Sequence, residues 1–268
     1  MKIFDCVTFF EENRLMELRF NILNSYVDEF IICEAKYNHQ GIKKKINFNK
    51  NNFPKFKKKI THIIVEKFPK NLNPWQRQAF QREMIFEGLE KADENDLILF
   101  SDPDEIPNPN KLKNLRLKKK YLIFMQVMSY YKFNVRNINL GNNWEGTRGC
   151  KKKNLFSIDF MRQKIKRKNL NYNFWRIDKE RNIQIINNGG WHFSYLLKPK
   201  EIQKKIKTFA HNEYNKKKYT NLKNIHNSIK NYKDLFHRSI VYKKIKLNKS
   251  FPKYILKNKK KFNYWIAK

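Results

Sequence analysis

The chain has 268 residues, 40% hydrophobic and 15% aromatic, enough to bury a core in one large domain or one domain with an appendage. Its 59 Lys and Arg against 24 Asp and Glu give a net charge of +35, which suits phosphate-bearing partners, although an AT-rich genome produces a similar Asn-, Ile- and Lys-rich composition. No apolar stretch approaches the ~20 residues of a membrane span, the start MKIFDC lacks a signal-peptide layout, and Cys6, Cys33 and Cys150 lack metal-type spacing, so buried thiols in a cytoplasmic protein are expected.

Residues 2–10, KIFDCVTFF, predict a strand, and ENRLMELRFNILNSY puts Leu15, Leu18, Ile22 and Tyr26 at helical spacing. DEFIICEA (28–35) predicts a second strand ending in the polar turn YNHQG. The Lys/Asn-rich stretch 43–59 reads as a loop with a short helix near Phe53–Phe56, and ITHIIVEKF (60–68) as a third strand. Pro74 opens a predicted helix, PWQRQAFQREMIFEGLEKA, since proline is tolerated in a first turn. DLILF (96–100) is continuously apolar and predicts a strand buried on both faces. A short helix at NKLKNLRL and a long strand, YLIFMQVMSYYKF (121–133), follow. Strands alternating with helices argue a mostly parallel α/β sheet. From 134 to 187 the pattern is irregular, and NNWEGTRG and DFMRQKIKRKN read as loop and short elements. IQIINNGGWHFSYL (183–196) predicts a strand interrupted at Gly189 and Gly190, and KPKEIQKKIKTFAHNEY a helix. Beyond about 215 the pattern is weakly amphipathic, helical and basic. The expected organisation is one domain over 1–215 and a basic helical extension over 216–268 packed on or next to it.

SDPDEIP (101–107) places Asp102, Asp104 and Glu105 just past the buried strand DLILF. Ligands of open α/β sheets bind beyond the carboxyl ends of the strands, and Asp-x-Asp puts two carboxylates on one side of an extended segment. Clustered carboxylates need a cation or shared protons at neutral pH. Their hard oxygens suit Mg²⁺ or Mn²⁺, normally held by one or two carboxylates together with substrate phosphates. A capped surface turn would also account for Asp-Pro-Asp; the apolar strand before it favours a site. In NNGGWHFSY (187–195) paired glycines permit unusual backbone angles. His192 there is either a core histidine between Trp191 and Phe193, or a third metal ligand or phosphate contact. In PWQRQAFQREMIFEGL, Gln81 and Arg82 belong either to an ordinary polar helix face or to one turned toward a nucleotide.

KIFDCVTFFEENRLMELRFNIL, FIICEAKYNHQG, PWQRQAFQRE, LILFSDPDEIP, GGWHFSY and KIKTFAHNEYN, in this order, together resemble glycosyltransferase family 17 over roughly residues 1–215, with the basic tail outside the resemblance. The resemblance implies a GT-A-like, Rossmann-type fold and a metal-dependent, inverting transfer of a sugar, N-acetylglucosamine in the family's named activity, from a UDP-linked donor. It implies that Asp102 and Asp104 reach the Mn²⁺ or Mg²⁺ and the diphosphate, that Glu105 lies in the donor-sugar pocket, and that Glu34 and Arg82 face the nucleotide. His192, His211 and Glu213 match further polar positions of the pattern. Inverting chemistry needs one base, and the candidates are Glu213, in its His-x-Glu cluster, and Glu145, in NNWEGTRG. The second strand ends ICEA where the family pattern has a Val-Glu-Ser type ending, and the animal member's membrane anchor is absent, so a bacterial or viral surface glycan is the expected acceptor. The expected partners are a nucleotide sugar and that glycan, with peripheral contact of the basic tail to the inner face of a membrane and no specific nucleic acid. Two rivals remain. A metal-dependent nuclease would want a second acidic cluster or a carboxylate-x-Lys pair on the next strand, which YLIFMQVMSYY lacks. A non-enzymatic nucleic-acid or membrane-binding module would need only the basic tail.

Overall fold

The structure, a computed structural model, describes residues 1–139 and 144–268. Strand β1 (Ile3–Phe9) leads through α1 (Asn13–Leu23) to β2 (Glu29–Ala35), then by a long loop to β3 (Ile60–Val65). Helix α2 (Pro74–Glu83) precedes β4 (Leu97–Ser101). These strands pair in parallel in the order β4-β1-β2-β3, as the alternation predicts. Side chains of β1 alternate between two cores. Ile3, Val7 and Phe9 join Leu15 and Phe20 of α1 on one face, while Phe4 and Cys6 join Ile85 and Leu89 on the other. Helix α2 starts with a full capping box between Asn73 and Gln76. It is shorter than predicted, because residues 84–88 tighten into a 3₁₀ turn. The helix expected near Phe53–Phe56 is likewise replaced by 3₁₀ turns at 50–52 and 57–59.

The second half of the sheet departs from expectation. It contains β5 (Glu105–Pro107), α3 (Pro109–Leu112), β6 (Tyr121–Tyr130), β7 (Val135–Asn137), β8 (Trp144–Lys151), α4 (Ile158–Gln163) and β9 (Ile183–Ser194). Of the stretch NNWEGTRG, read as loop and short elements, residues 142 and 143 lie outside the described residues, and the rest belongs to β8, inserted antiparallel between β4 and β6. The sheet is therefore mixed: β6 pairs in parallel with β9, while the pairings of β8, β7 and β5 are antiparallel. Strand β8 reads WEGTRGCK, with only Trp144 and Cys150 apolar, and its two glycines answer to packing. A Cβ on Gly149 would lie 2.7 Å from Leu99 Cδ2, and one on Gly146 2.0 Å from Gln126 Oε1.

Helices α5 (Pro199–Thr208), α6 (Lys217–Thr220) and α7 (Leu222–Lys230), strand β10 (Tyr242–Lys244) and α8 (Lys253–Lys257) complete the chain. The segment beyond 215 is thus not purely helical, since β10 extends the sheet antiparallel to β7. Ile255, Phe262 and Trp265 pack into the same core as α1, and Ile225, Leu235 and Phe236 into one with Tyr130 and Ile202. Each such side chain contributes ~1.5–3 kcal/mol on burial, which outweighs the solubilising effect of the lysines between them. No helix among the described residues is long and apolar enough to cross a membrane. Cys6, Cys33 and Cys150 are buried free thiols, as expected, and burial pushes the Cys150 thiol up to about 12.

Candidate active site

Strand β4 delivers the acidic turn 102–105 to the carboxyl ends of β1 and β2. Arg19 of α1 holds the turn from beneath. It forks onto Asp5 of β1 at 2.5 and 2.6 Å and donates its remaining nitrogen to the Glu105 carbonyl at 2.7 Å. Both partners of this ion pair are buried, so it stands only as a complete unit. On the other side β5 pairs with β9, setting Glu105 opposite His192, and the Phe193 amide donates to the Asp104 carbonyl at 2.8 Å. SDPDEIP and GGWHFSY are therefore neighbouring strands of one ladder. Gly190 makes this approach possible: its φ is +145°, and a Cβ there would sit 2.1 Å from the Ile106 carbonyl oxygen.

The three carboxylates have different surroundings. Asp102 accepts from Arg162 of α4 at 2.5 Å and lies 3.7 Å from Arg82 of α2. Burial alone would raise its pKa; Arg162 and then Arg82 outweigh that and hold it below the usual carboxylate range. Glu105, fully buried, accepts from the same Arg162 nitrogen at 2.7 Å, from Trp144 Nε1 of β8 at 2.7 Å, and from the Asp102 amide at 3.2 Å. Arg162 is in turn fixed by the Gly146 carbonyl at 3.1 Å. Arg82 spends its other terminal nitrogen on Asp159 at 2.7 Å. Asp104 lies 3.5 Å from Lys205 of α5 and 3.5 Å from His192 Nε2. Burial opposes its ionisation, but Lys205 and His192 hold its pKa well below the ordinary value. Lys205 also lies 4.0 Å from Glu12, and although burial disfavours its charge, Asp104 and Glu12 push its pKa up. Asp102 and Asp104 are thus favoured in their charged forms and already flanked by protein cations.

Asp102, Asp104 and Lys205 border an open cleft of about 260 Å³, with Gln81, His192 and His211 also on its walls. Gln81 donates to the Cys33 carbonyl at 2.9 Å and meets His39 Nε2 at 2.9 Å, which fixes the loop after β2 against the cleft. His192 packs on the Trp144 ring, centroids 4.4 Å apart, and its Nδ1 is buried without a hydrogen-bond partner. Other sequence candidates sit outside this wall. Glu34 is buried below it and ties the 44–48 loop to β2, accepting from Lys44 and from the amides of Asn47 and Phe48. Glu145 turns to Arg148 and the Arg167 amide, both at 3.1 Å. Glu213 is exposed at the rim, 2.6 Å from Nδ1 of the cleft residue His211.

Among the described residues no group of three or more His, Cys, Asp and Glu is arranged to hold a metal. The donors present fit a hard divalent cation in one way: Asp102 and Asp104 as two carboxylates, with substrate phosphates and water completing the shell. The 3.5 Å ion pairs of Asp104 are longer than a charge-assisted hydrogen bond, so its oxygens keep coordinating capacity.

Sequence reasoning missed Arg162, Lys205 and Glu12. Arg162 and Lys205 are two of 59 basic residues and carry no local signature. Glu12 precedes α1 and accepts from the amides of Phe10 and Glu11 at 3.0 Å, a short-range pattern with no spacing to read.

The sequence model of glycosyltransferase family 17 matches residues 1–267, so the likeness extends through the basic tail. No curated protein sequence matches. Among solved structures, residues 1–349 of TarS from S. aureus align with TM-score 0.42 at 12% identity, covering 77% of this chain and 64% of that one. A glycosyltransferase involved in glycosylation of the major capsid of PBCV-1 aligns with TM-score 0.35 at 11% identity, covering 70% and 82%. HddC from Yersinia pseudotuberculosis aligns with TM-score 0.36 at 12% identity, covering 70% and 92%. This chain thus spans less than two thirds of the TarS structure.

Proposed function

The chain belongs to glycosyltransferase family 17 and is a glycosyltransferase, and from that premise we propose a metal-dependent, inverting transfer of a sugar from a UDP-linked donor to a glycan acceptor, on a GT-A-type fold. The observation that carries this reading is the Asp102 and Asp104 pair just past the carboxyl end of β4, facing a cleft with Lys205 beside it. A diphosphate would meet Lys205 on the chain's side. A Mg²⁺ or Mn²⁺ held by Asp102 and Asp104 would neutralise charge on the departing diphosphate. His192 and Arg162 keep the two carboxylates in place, and Gln81 with Arg82 supports the nucleotide side. Glu105, locked by Arg162 and Trp144, shapes the donor pocket from below.

The acceptor hydroxyl attacks the anomeric carbon from the face opposite the diphosphate. A carbon–oxygen bond to the acceptor forms, the bond to the diphosphate breaks, and the hydroxyl proton passes to a base. Glu145 is poorly placed for this, being turned to Arg148 and the Arg167 amide. Glu213 acts through His211: it holds Nδ1 of that imidazole and leaves Nε2 to take the proton. N-acetylglucosamine as the sugar, a surface glycan as the acceptor and work at the cytoplasmic face of a membrane complete the reading. Membership of an enzyme family removes the non-enzymatic rival.

Thermal-shift binding of UDP, GDP and CMP, each with and without Mn²⁺, on wild type and Asp104→Ala, tests it. Stabilisation by UDP that needs Mn²⁺ and is lost in the variant supports the reading. Equal stabilisation with and without the metal would remove the metal-dependent part, and no stabilisation by any nucleotide would overturn the donor class.

A further inference from the structure

The loop after α4 carries a feature that sugar transfer does not use. Phe174, Trp175 and Ile177 are 81%, 62% and 96% exposed. Single exposed apolar side chains are ordinary, but three within four positions make a patch. The loop's own backbone holds this tip outward: the Arg176 amide donates to the Asn173 carbonyl at 3.1 Å and the Ile177 amide to the Trp175 carbonyl at 2.9 Å. Phe174 and Trp175 meet edge to face, centroids 5.0 Å apart. Beside them Lys164, Lys166 and Lys168 line an open pocket of about 430 Å³, whose other charged walls are Glu180, Asp178 and Lys179, the last two paired at 2.8 Å. Residues 164–181 hold seven Lys and Arg against Asp178 and Glu180.

We propose that residues 164–181 form a docking surface for an anionic bilayer. Phe174, Trp175 and Ile177 enter the boundary between headgroups and acyl chains, and the lysine pocket takes a lipid phosphate. Charge complementarity selects the partner's sign, and the apolar tip selects a bilayer over nucleic acid. Ile177, the most exposed of the three, has no π-face on which a base could stack and would stay in water on a nucleic acid. The surface is coupled to the cleft through covalent structure. Helix α4 holds Arg162 on Asp102, and the Arg167 amide donates to Glu145 next to Trp144, so docking fixes how the cleft faces the membrane. It also relocates the contact that the sequence placed on 216–268. Among the described residues there, the large exposed apolar side chains are Val241 and Tyr264, which are far apart in sequence.

Sedimentation of the full chain with vesicles of phosphatidylcholine, with and without phosphatidylglycerol, tests the proposal. Wild type should bind the phosphatidylglycerol vesicles, more weakly as salt rises, with a blue shift of tryptophan emission that Trp175→Ser removes. Replacing Phe174, Trp175 and Ile177 together by Ser should weaken binding by about 100-fold. Replacing Lys164, Lys166 and Lys168 by Gln should cost about fivefold each. All these positions are surface sites, so melting temperatures should match wild type. Wild type failing to bind phosphatidylglycerol vesicles, or the triple-Ser variant binding them equally, would overturn the proposal. So would a dimer that disappears in the triple-Ser variant, which would make the tip a self-interface, or an oligonucleotide affinity that depends on the same three residues.

Discussion

Replacing Arg162 by Met probes the electrostatic floor of the cleft. The guanidinium touches two carboxylates through one nitrogen, Asp102 at 2.5 Å and Glu105 at 2.7 Å, and its removal leaves both without their nearest cation. Glu105 keeps hydrogen bonds from Trp144 and the Asp102 amide but loses its ion pair, and Asp102 keeps Arg82 at 3.7 Å. Breaking a buried pair typically costs ~3–5 kcal/mol. Because Asp102 is partly exposed and retains Arg82, about 3 kcal/mol is expected here, a fall in Tm of about 6 °C for a chain of this size. The sign with pH follows from linkage. In the wild type the folded pKa of Asp102 is depressed, so its pairing stabilises fully above an unfolded pKa of about 3.9, and is lost as pH falls through the lower folded value. In Arg162→Met, Asp102 loses the larger of the two charges that depress its pKa. The deficit should therefore be largest at neutral pH and shrink below about pH 4. Calorimetry of wild type, Arg162→Met and Arg162→Met with Glu105→Gln across that range measures it, and the double variant should recover part of the loss. A Tm indistinguishable from wild type at neutral pH would show that no such pair exists. A deficit constant with pH would assign the effect to the arginine stem rather than to charge.

Asp104→Asn should leave the fold intact and lower kcat/KM by at least ~10²-fold, measured as sugar transfer or donor hydrolysis. His211→Ala should reduce kcat by ~10²–10⁴, with a smaller loss for Glu213→Gln; equal rates for His211→Ala and wild type would remove the imidazole as base. Burial lowers the pKa of His39, though Gln81 partly offsets this, so the folded state resists protonation where an unfolded histidine accepts it. The His39 contribution to stability is therefore complete above about pH 6.5 and declines as pH falls toward the lower folded value, and urea melts of wild type and His39→Gln should converge in that window. Gly190→Ala forces a Cβ against the Ile106 carbonyl oxygen on a backbone at φ +145° and should destabilise by about 2–4 kcal/mol, read as a shift in urea midpoint.

The parallel half of the sheet was legible because its strands are buried on both faces and read as mostly apolar runs, IFDCVTF, EFIICEA and LILFS, broken in the interior only by Asp5, Thr8 and Glu34. Strand β8 was not, because WEGTRGCK spends two positions on glycines that only its neighbours explain, and neighbours are absent from a linear string. The acidic turn could be located because carboxylates are scarce in this chain and three fall together after a strand. Its partners could not, since Arg162 and Lys205 stand 57 or more positions away from the turn among many similar residues. Arg19 was hidden within a helix whose apolar spacing was read correctly, and nothing in that spacing shows that an arginine points inward onto Asp5.

The insertion of β8 between β4 and β6 also sets a schedule for synthesis. Strands β1 to β4 can assemble once the chain reaches Ser101, but one edge of β4 stays open until the chain extends to Lys151. At ~5–20 residues per second the ribosome takes several seconds to supply that partner. Throughout that interval a strand of four apolar residues and Ser101 presents an unpaired hydrogen-bonding edge, the form most prone to pair with a neighbouring nascent chain. Yield of soluble protein should therefore depend on the speed of elongation between these two points more than on the final stability of the fold.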